Sequence, residues 1–287
     1  GTGAVGALAL AGCSSGGDGD GDGGDGSGDG STPMPTTQEQ FERLYPIVFL
    51  PYLLGPLVSG LILTALVDGK AGFGKLFSRL TKWRVNGRWY AISLLTAPLL
   101  TLAILLALSL VSPAFLPAIV TADDKLALLM MGIAIGLIGG GLMEEPGWTG
   151  FALPRLRQQY SVFSTGLVVG LVWGVWHFLP TYWGSGDSAG RLSLALLLPP
   201  LFFYAAVLPA YRVLMVWVYE RTASLLVVIL MHGSLTASTL FVLAPAVEGV
   251  RLFVYYLVLA AVLWGLVGAV ALADRRGEGE RGERLER

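Results

Sequence analysis

Charge is scarce in this sequence. Only 14% of its 287 residues are Asp, Glu, Lys or Arg, where soluble domains carry about 25%, and 54% are hydrophobic. An ordinary soluble domain is excluded. Cysteine is nearly absent: Cys13 stands alone, which excludes an internal disulfide and a cysteine-ligated metal site. Histidine occurs only at His177 and His232. Neither sign of charge is in excess, with 19 basic against 20 acidic residues, so the basic footprint of a nucleic-acid-binding protein is missing. The average hides a segregation. Residues 1–45 hold seven acids and one base and residues 274–287 hold five of each, which leaves 8 acids and 13 bases in the 228 residues between them.

What fills that middle is a series of apolar runs, each long enough for the roughly 20 residues of a membrane-spanning helix. Seven can be drawn, at about 46–67, 89–111, 127–149, 164–184, 193–218, 223–245 and 252–273. The fold expected is all-α, a polytopic transmembrane bundle over 45–273. Ser112–Val120 is expected to dip into the interface, and the prolines at 199, 200 and 209 to break the fifth span. The one strongly basic loop, with Lys70, Lys75, Arg79, Lys82, Arg84 and Arg88, belongs in the cytoplasm by the positive-inside rule. Alternation from there also puts Arg155, Arg157, Arg212, Arg221 and the five C-terminal arginines inside, 15 of the 19 basic residues. The expected location is a bacterial cytoplasmic membrane, with the N-terminus outside and the C-terminus inside.

The ends differ from the middle. Residues 14–44 open on a run of Gly, Asp and Ser with almost nothing to bury, which predicts a disordered, solvated tether. Before it, Ala4 to Leu10 is a short apolar stretch closing on Leu-Ala-Gly-Cys13, which resembles the lipobox at which bacterial lipoproteins are acylated, although no basic n-region precedes it. Residues 1–13 are therefore read as a lipoprotein-type leader, with Cys13 as the lipidation candidate. Residues 274–287 form a charged tail on the cytoplasmic side.

Ionisable groups at membrane depth are costly and mark functional sites by default. Four fall there: Glu144 and Glu145, which follow three glycines and precede Pro146-Gly147, and the two histidines, each inside an apolar run. Singly, a membrane histidine is most simply an interhelical hydrogen-bonding group, and a Glu-Glu pair near a helix end can rest at the interface against Arg155. Together, two acids and two imidazoles on three spans are the set needed to activate water or hold a metal. Helical spacing puts Trp173 one turn from His177 on the same face, and Thr236 in the same relation to His232. Adjacent glutamates project about 100° apart and cannot share one role. Straight spans would leave Glu144 and His177 near opposite faces. The pocket therefore predicts spans centred on about 131–151 and 168–188 with 152–165 as the loop, and a helix broken just after the glutamates.

These residues resemble the motifs of the CPBP intramembrane metalloproteases, the group that includes type II CAAX prenyl proteases and bacteriocin-processing or immunity proteins. Glu144-Glu145-Pro-Gly-Trp-Thr-Gly-Phe-Ala-Leu-Pro-Arg-Leu looks like the first motif, Glu-Glu-x-x-x-Arg. Trp173-Gly-Val-Trp-His177 matches the second, and His232-Gly-Ser-Leu-Thr236 approaches the third, His-x-x-x-Asn/Asp. Order and separation fit over about 130–245. Two positions depart from the pattern: Thr149 stands where the family has arginine, and Thr236 where it has asparagine or aspartate. A threonine supplies no positive charge to hold a carboxylate ionised, which turns attention to Arg155 or Arg157 as substitutes.

The resemblance implies an intramembrane endopeptidase acting on a membrane-embedded or lipid-modified protein within the bilayer. In that reading Glu144 is the general base, Glu145 orients or ligates, His177 polarises the water, and His232 with Thr236 holds the developing oxyanion. The same donors suit a divalent metal, zinc in the first instance, on Glu144, His177 and His232, and a metal-free glutamate–histidine scheme uses them equally. A second reading makes the chain a catalytically impaired relative, a membrane partner or bacteriocin-immunity-type protein, with Thr149 as its support. A third, a proton-relay transporter, would favour internal repeats, and none is found.

Overall fold

In a computed structural model of the chain, residues 38–186 and 191–285 are described. The leader with Cys13 and the tether up to residue 37 lie outside the described residues. Seven helices are long and apolar enough to cross a membrane: α1 (Gln38–Leu80), α2 (Gly87–Ser109), α3 (Lys125–Leu156), α4 (Val162–Trp183), α5 (Leu194–Thr222), α6 (Leu225–Val242) and α7 (Gly249–Leu285). The described chain is all-α, as its apolar runs require. Many large apolar side chains face outward, among them Val175 at 73% and Leu110 at 89% exposed, an arrangement that a hydrocarbon surrounding makes favourable.

Polar residues fix where the helices start. Asn86, Asp124, Ser161 and Ser224 each accept a backbone N–H of the following first turn, which satisfies donors the helix cannot. Ala223 adopts a left-handed conformation (φ 46°), so α5 turns into α6 within two residues. The Ser224 hydroxyl also donates to the Lys82 carbonyl (2.7 Å) and ties that turn to the end of α1. Between α2 and α3 the chain makes a short 3-10 turn at Pro113–Phe115 and a single helical turn at Ala118–Thr121.

Several expected boundaries are corrected. The prolines of α5 do not break it: Pro199 and Pro200 lie inside its first segment, and a π-wound stretch, Phe203–Val207, precedes Pro209. Neighbouring helices and local rewinding re-satisfy the backbone groups freed by proline in a membrane bundle. For the same reason Pro146-Gly147 does not end α3, which passes through a π-wound stretch, Pro146–Ala152, and continues to Leu156. The third and fourth spans are joined by residues 157–161 alone, not by 152–165. Glu144 comes near the middle because α3 is 32 residues long, not because α4 has shifted. At the two ends, α1 already begins at Gln38 and α7 runs on to Leu285, so helix reaches into both the tether and the tail.

The core lies around α5 and α6. Val207, Ala210, Tyr211, Met215, Val216 and Val218 of α5 are fully buried. Helix α4 reaches α5 through glycines spaced by four: a Cβ at Gly166 would stand 2.5 Å from Val213 Cα, and one at Gly170 2.5 Å from Pro209 Cα. Small residues let backbones approach where lipid supplies no hydrophobic drive between helices. Gly170→Ala is therefore expected to destabilise the bundle by about 1–3 kcal/mol, the usual range for overpacking. Gly265→Ala, where nothing lies within 4 Å of the added Cβ, is expected to change nothing. Denaturation midpoints of the two variants in one detergent check this, and equal midpoints would refute the close-packing account.

Candidate functional site

Glu144 and Glu145 sit between two π-wound stretches of α3, Ile135–Leu142 and Pro146–Ala152. Such insertions re-aim side chains and recur at functional sites. Both glutamates are buried, Glu145 completely. Their carboxylates do different things.

Glu145 is fully engaged. Its Oε1 meets His232 Nδ1 at 2.7 Å, and its Oε2 accepts from Arg212 Nη1 at 2.9 Å and from the Thr149 hydroxyl. Arg212 has no exposure to solvent, and its guanidinium lies 4.2 Å from the centre of the Trp173 ring, a cation–π contact strengthened by the absence of water. Its Nε and Nη2 find no acceptor among the described residues, so the ion pair and the indole face carry its burial. The carboxylate can only accept, so Nδ1 of His232 bears the proton and Nε2 of the neutral ring is an acceptor. That Nε2 and the Thr236 hydroxyl border the same small space: the position a Cβ would take on Gly140 is 2.9 Å from one and 2.8 Å from the other.

Glu144 is half engaged. Its Oε2 accepts the indole N–H groups of Trp173 (2.6 Å) and Trp148 (3.2 Å), while Oε1 takes no hydrogen bond among the described residues. The bond to Trp173 joins α3 to α4 and resolves the depth difficulty raised by straight spans. One turn further, His177 closes α4's long segment and donates from Nδ1 to the Trp173 carbonyl (2.8 Å). Its Nε2 is then also an acceptor. The ring stacks on Tyr204 (5.0 Å, 28°) and meets Tyr52 edge-on (5.9 Å). Trp176, stacked on Tyr52 and edge-on to Trp148, extends this aromatic wall.

The structure thus brings together Glu144, Glu145, Trp173, His232, Thr149 and Thr236, with His177 at the edge of the group. It does not bring in Arg155, which pairs with Asp68, lies over the Phe151 ring and is one-third exposed. Arg157 pairs with Glu220 at 3.0 Å. The cation on Glu145 is Arg212, which the positive-inside rule alone places among the cytoplasmic charges. Its signal was present: a lone arginine inside the run Leu-Pro-Ala-Tyr-Arg-Val-Leu-Met-Val-Trp, an ionisable group at membrane depth. Metal donors are a separate matter. Both oxygens of Glu145 are spent, and among the described residues no group of three His, Cys, Asp or Glu is placed to hold an ion. Glu144, His177 and His232 are not gathered into one such group among the described residues.

An all-helical bundle of seven apolar spans, three of which carry the carboxylate pair and the two imidazoles, defines the class, a multi-pass membrane protein. Residues 125–238, from the start of α3 to just past Thr236, match the family described as type II CAAX prenyl endopeptidase Rce1-like. A CAAX prenyl protease 2 from Methanococcus maripaludis is 22% identical over 230 residues, covering 78% of this chain and 83% of the relative. Both findings support the CAAX protease-like family for this chain, as the motifs implied.

Removing Arg212 leaves a buried carboxylate with an uncompensated charge, which costs about 3–5 kcal/mol. Arg212→Met is therefore expected to yield little folded protein. Thr149→Arg in that background restores a cation to the same oxygen and is expected to recover part of the loss, read as the fraction of folded protein on size-exclusion chromatography. A single Arg212→Met variant as stable as the wild type would remove the electrostatic account of the site.

Proposed function

We propose that the protein is an intramembrane endopeptidase that hydrolyses a peptide bond of a membrane-associated, lipid-modified protein by glutamate-activated water. The observation that carries this reading is the asymmetry of the glutamates, one carboxylate with both oxygens committed to His232, Arg212 and Thr149 and its neighbour with one oxygen on two indoles and the other without a hydrogen bond among the described residues.

In the proposed reaction, a water held by His177 Nε2 gives its proton to Glu144 Oε1 as its oxygen attacks the scissile carbonyl carbon. The two indole N–H groups on Oε2 steady the carboxylate without neutralising it. The oxyanion that forms receives the Thr236 hydroxyl, which borders His232 Nε2. Glu144 then returns its proton to the amine nitrogen as the C–N bond breaks. Glu145 acts through others: it fixes the ring and tautomer of His232, while Arg212 and Thr149 keep it ionised and in place. The aromatic wall of Tyr52, Trp148, Trp176 and Tyr204 offers flat apolar surface suited to a prenyl chain. A prenylated substrate is also what the names of the family and of the archaeal relative suggest. The expected setting is a bacterial cytoplasmic membrane with the basic segment from Lys70 to Arg88, which spans the end of α1 and the start of α2, inside. The impaired-relative reading has Thr149 as its main support, and the Arg212 charge on Glu145 weighs against it.

Glu144→Gln keeps an acceptor for both indoles and loses the base. It is expected to fold like the wild type and to lower cleavage at least ~100-fold, within the range of general-base catalysis. Comparing protein termini by mass spectrometry in membranes carrying either form tests this without prior choice of substrate, and identical sets of termini would end the peptidase reading. Gly140→Ala places a methyl between His232 Nε2 and the Thr236 hydroxyl. Its expected effect is a loss of about 100-fold in turnover of the folded protein, the scale of a 1 Å misplacement, on top of the about 1–3 kcal/mol that overpacking costs. Full turnover in this variant would take the oxyanion role away from the Thr236 hydroxyl.

A further inference from the structure

Helix α1 bends at Gly69, whose φ of 59° and ψ of −149° interrupt the helix. Up to the bend its outer side chains are apolar, with Leu66 77% and Val67 63% exposed. Beyond it, Phe73 and Phe77 are exposed one turn apart among Lys70, Lys75 and Arg79. That mixture of rings and cations is the composition of a segment lying at a membrane interface. Against the bend, the C-terminal part of α3 closes a cleft of about 250 Å³ whose walls include Asp68, Lys75, Arg79, Gly150, Arg155 and Gln158.

The charges of this cleft do not cancel. Asp68 is its only acid, and Asp68 is taken by Arg155, which also donates to the Phe151 carbonyl (2.8 Å). Arg79 reaches the Gly150 carbonyl at 3.4 Å and has no carboxylate partner among the described residues. Lys75 is exposed, and its ammonium makes neither an ion pair nor a hydrogen bond among them. Two positive charges thus remain over a concave, partly polar surface, at the depth where the chain changes from apolar to charged.

We propose that this cleft binds the phosphate headgroup of an anionic phospholipid, its acyl chains lying along the exposed Leu66 and Val67 of α1. Basic recesses between membrane helices take such headgroups because a fixed pair of cations outbids mobile counterions for a phosphate already held at the surface. The position has a consequence for the catalytic helix. Gly150, Pro154 and Arg155 continue the segment that carries Glu144 and Glu145, so a headgroup here ties α1 to α3 next to the site. Binding does not depend on the reaction proposed above, and its readout needs no turnover.

The test uses the full chain in mild detergent, offered phosphatidylglycerol or phosphatidylcholine, with lipid retention followed by native mass spectrometry and stabilisation followed by the thermal midpoint. The wild type is expected to retain phosphatidylglycerol over phosphatidylcholine and to melt higher with it, as a ligand of the folded state requires. Lys75→Gln should weaken retention about fivefold, the worth of one basic residue near a charged headgroup, and Lys75→Arg should keep it. Lys82→Gln removes the same charge outside the cleft and should behave like the wild type. Equal retention of the two lipids, or a Lys82→Gln effect as large as that of Lys75→Gln, would overturn the proposal. Inorganic phosphate that reproduces the whole stabilisation would assign the site to a free anion and overturn the lipid assignment.

Discussion

The arrangement of the bundle depends on one buried carboxylate. Glu145 has no exposure to solvent, and an ionised carboxylate in such surroundings is tolerated only if paired and hydrogen-bonded on both oxygens. Its partners come from three helices: Thr149 on its own α3, Arg212 on α5 and His232 on α6. Trp173 brings in α4, receiving the Arg212 guanidinium on its face and donating to Glu144. Apolar contacts between helices in lipid have little directional preference, whereas these polar contacts hold at one rotation and one depth. The register of α3, α4, α5 and α6 is thus fixed at the place where the chemistry is proposed to occur.

The same network explains why adjacent glutamates can differ so much. In an α-helix they diverge by about 100°, enough to send one toward α5 and α6 and the other toward α4. The π-wound turns on either side of them, Ile135–Leu142 and Pro146–Ala152, widen the helix and place Gly140 against His232 and Thr236. Further π-wound stretches follow Thr236 at Ala237–Val242 and hold Tyr204 within Phe203–Val207. Each adjoins a residue of the site, so the irregular winding is concentrated where side chains have to be re-aimed.

Much of this was legible in the sequence, and what was missed has physical causes. Seven spans follow from run length alone, because few charges interrupt 46–273. Glu144, Glu145, His177 and His232 stood out because each is an ionisable group in an apolar run, and the i, i+4 relations of Trp173 to His177 and Thr236 to His232 followed from helical period. Span ends and breaks did not follow. Pro146, Pro199 and Pro200 read as breakers by rules formed on isolated helices, whereas a bundle absorbs them by rewinding the helix. Arg212 falls among the cytoplasmic charges because positive-inside reasoning treats arginine as a marker of topology, and that reasoning does not ask whether an acid waits at the same depth.

Arg212 also bears on how a motif should be read. The family pattern sets its arginine one helical turn after the second glutamate, where this chain has Thr149. The physical requirement is narrower and more permissive than the pattern: a positive charge must reach one oxygen of Glu145 and leave the other for His232. Arg212 Nη1 meets it from α5 at 2.9 Å, and Thr149 adds a hydrogen bond to the same oxygen. A cation supplied from a facing helix serves the carboxylate as well as one on its own helix, because Coulomb attraction depends on distance and surroundings and is indifferent to chain connectivity. With threonine at 149, the charge on Glu145 comes from α5, and a motif confined to one helix cannot register a cation supplied by another.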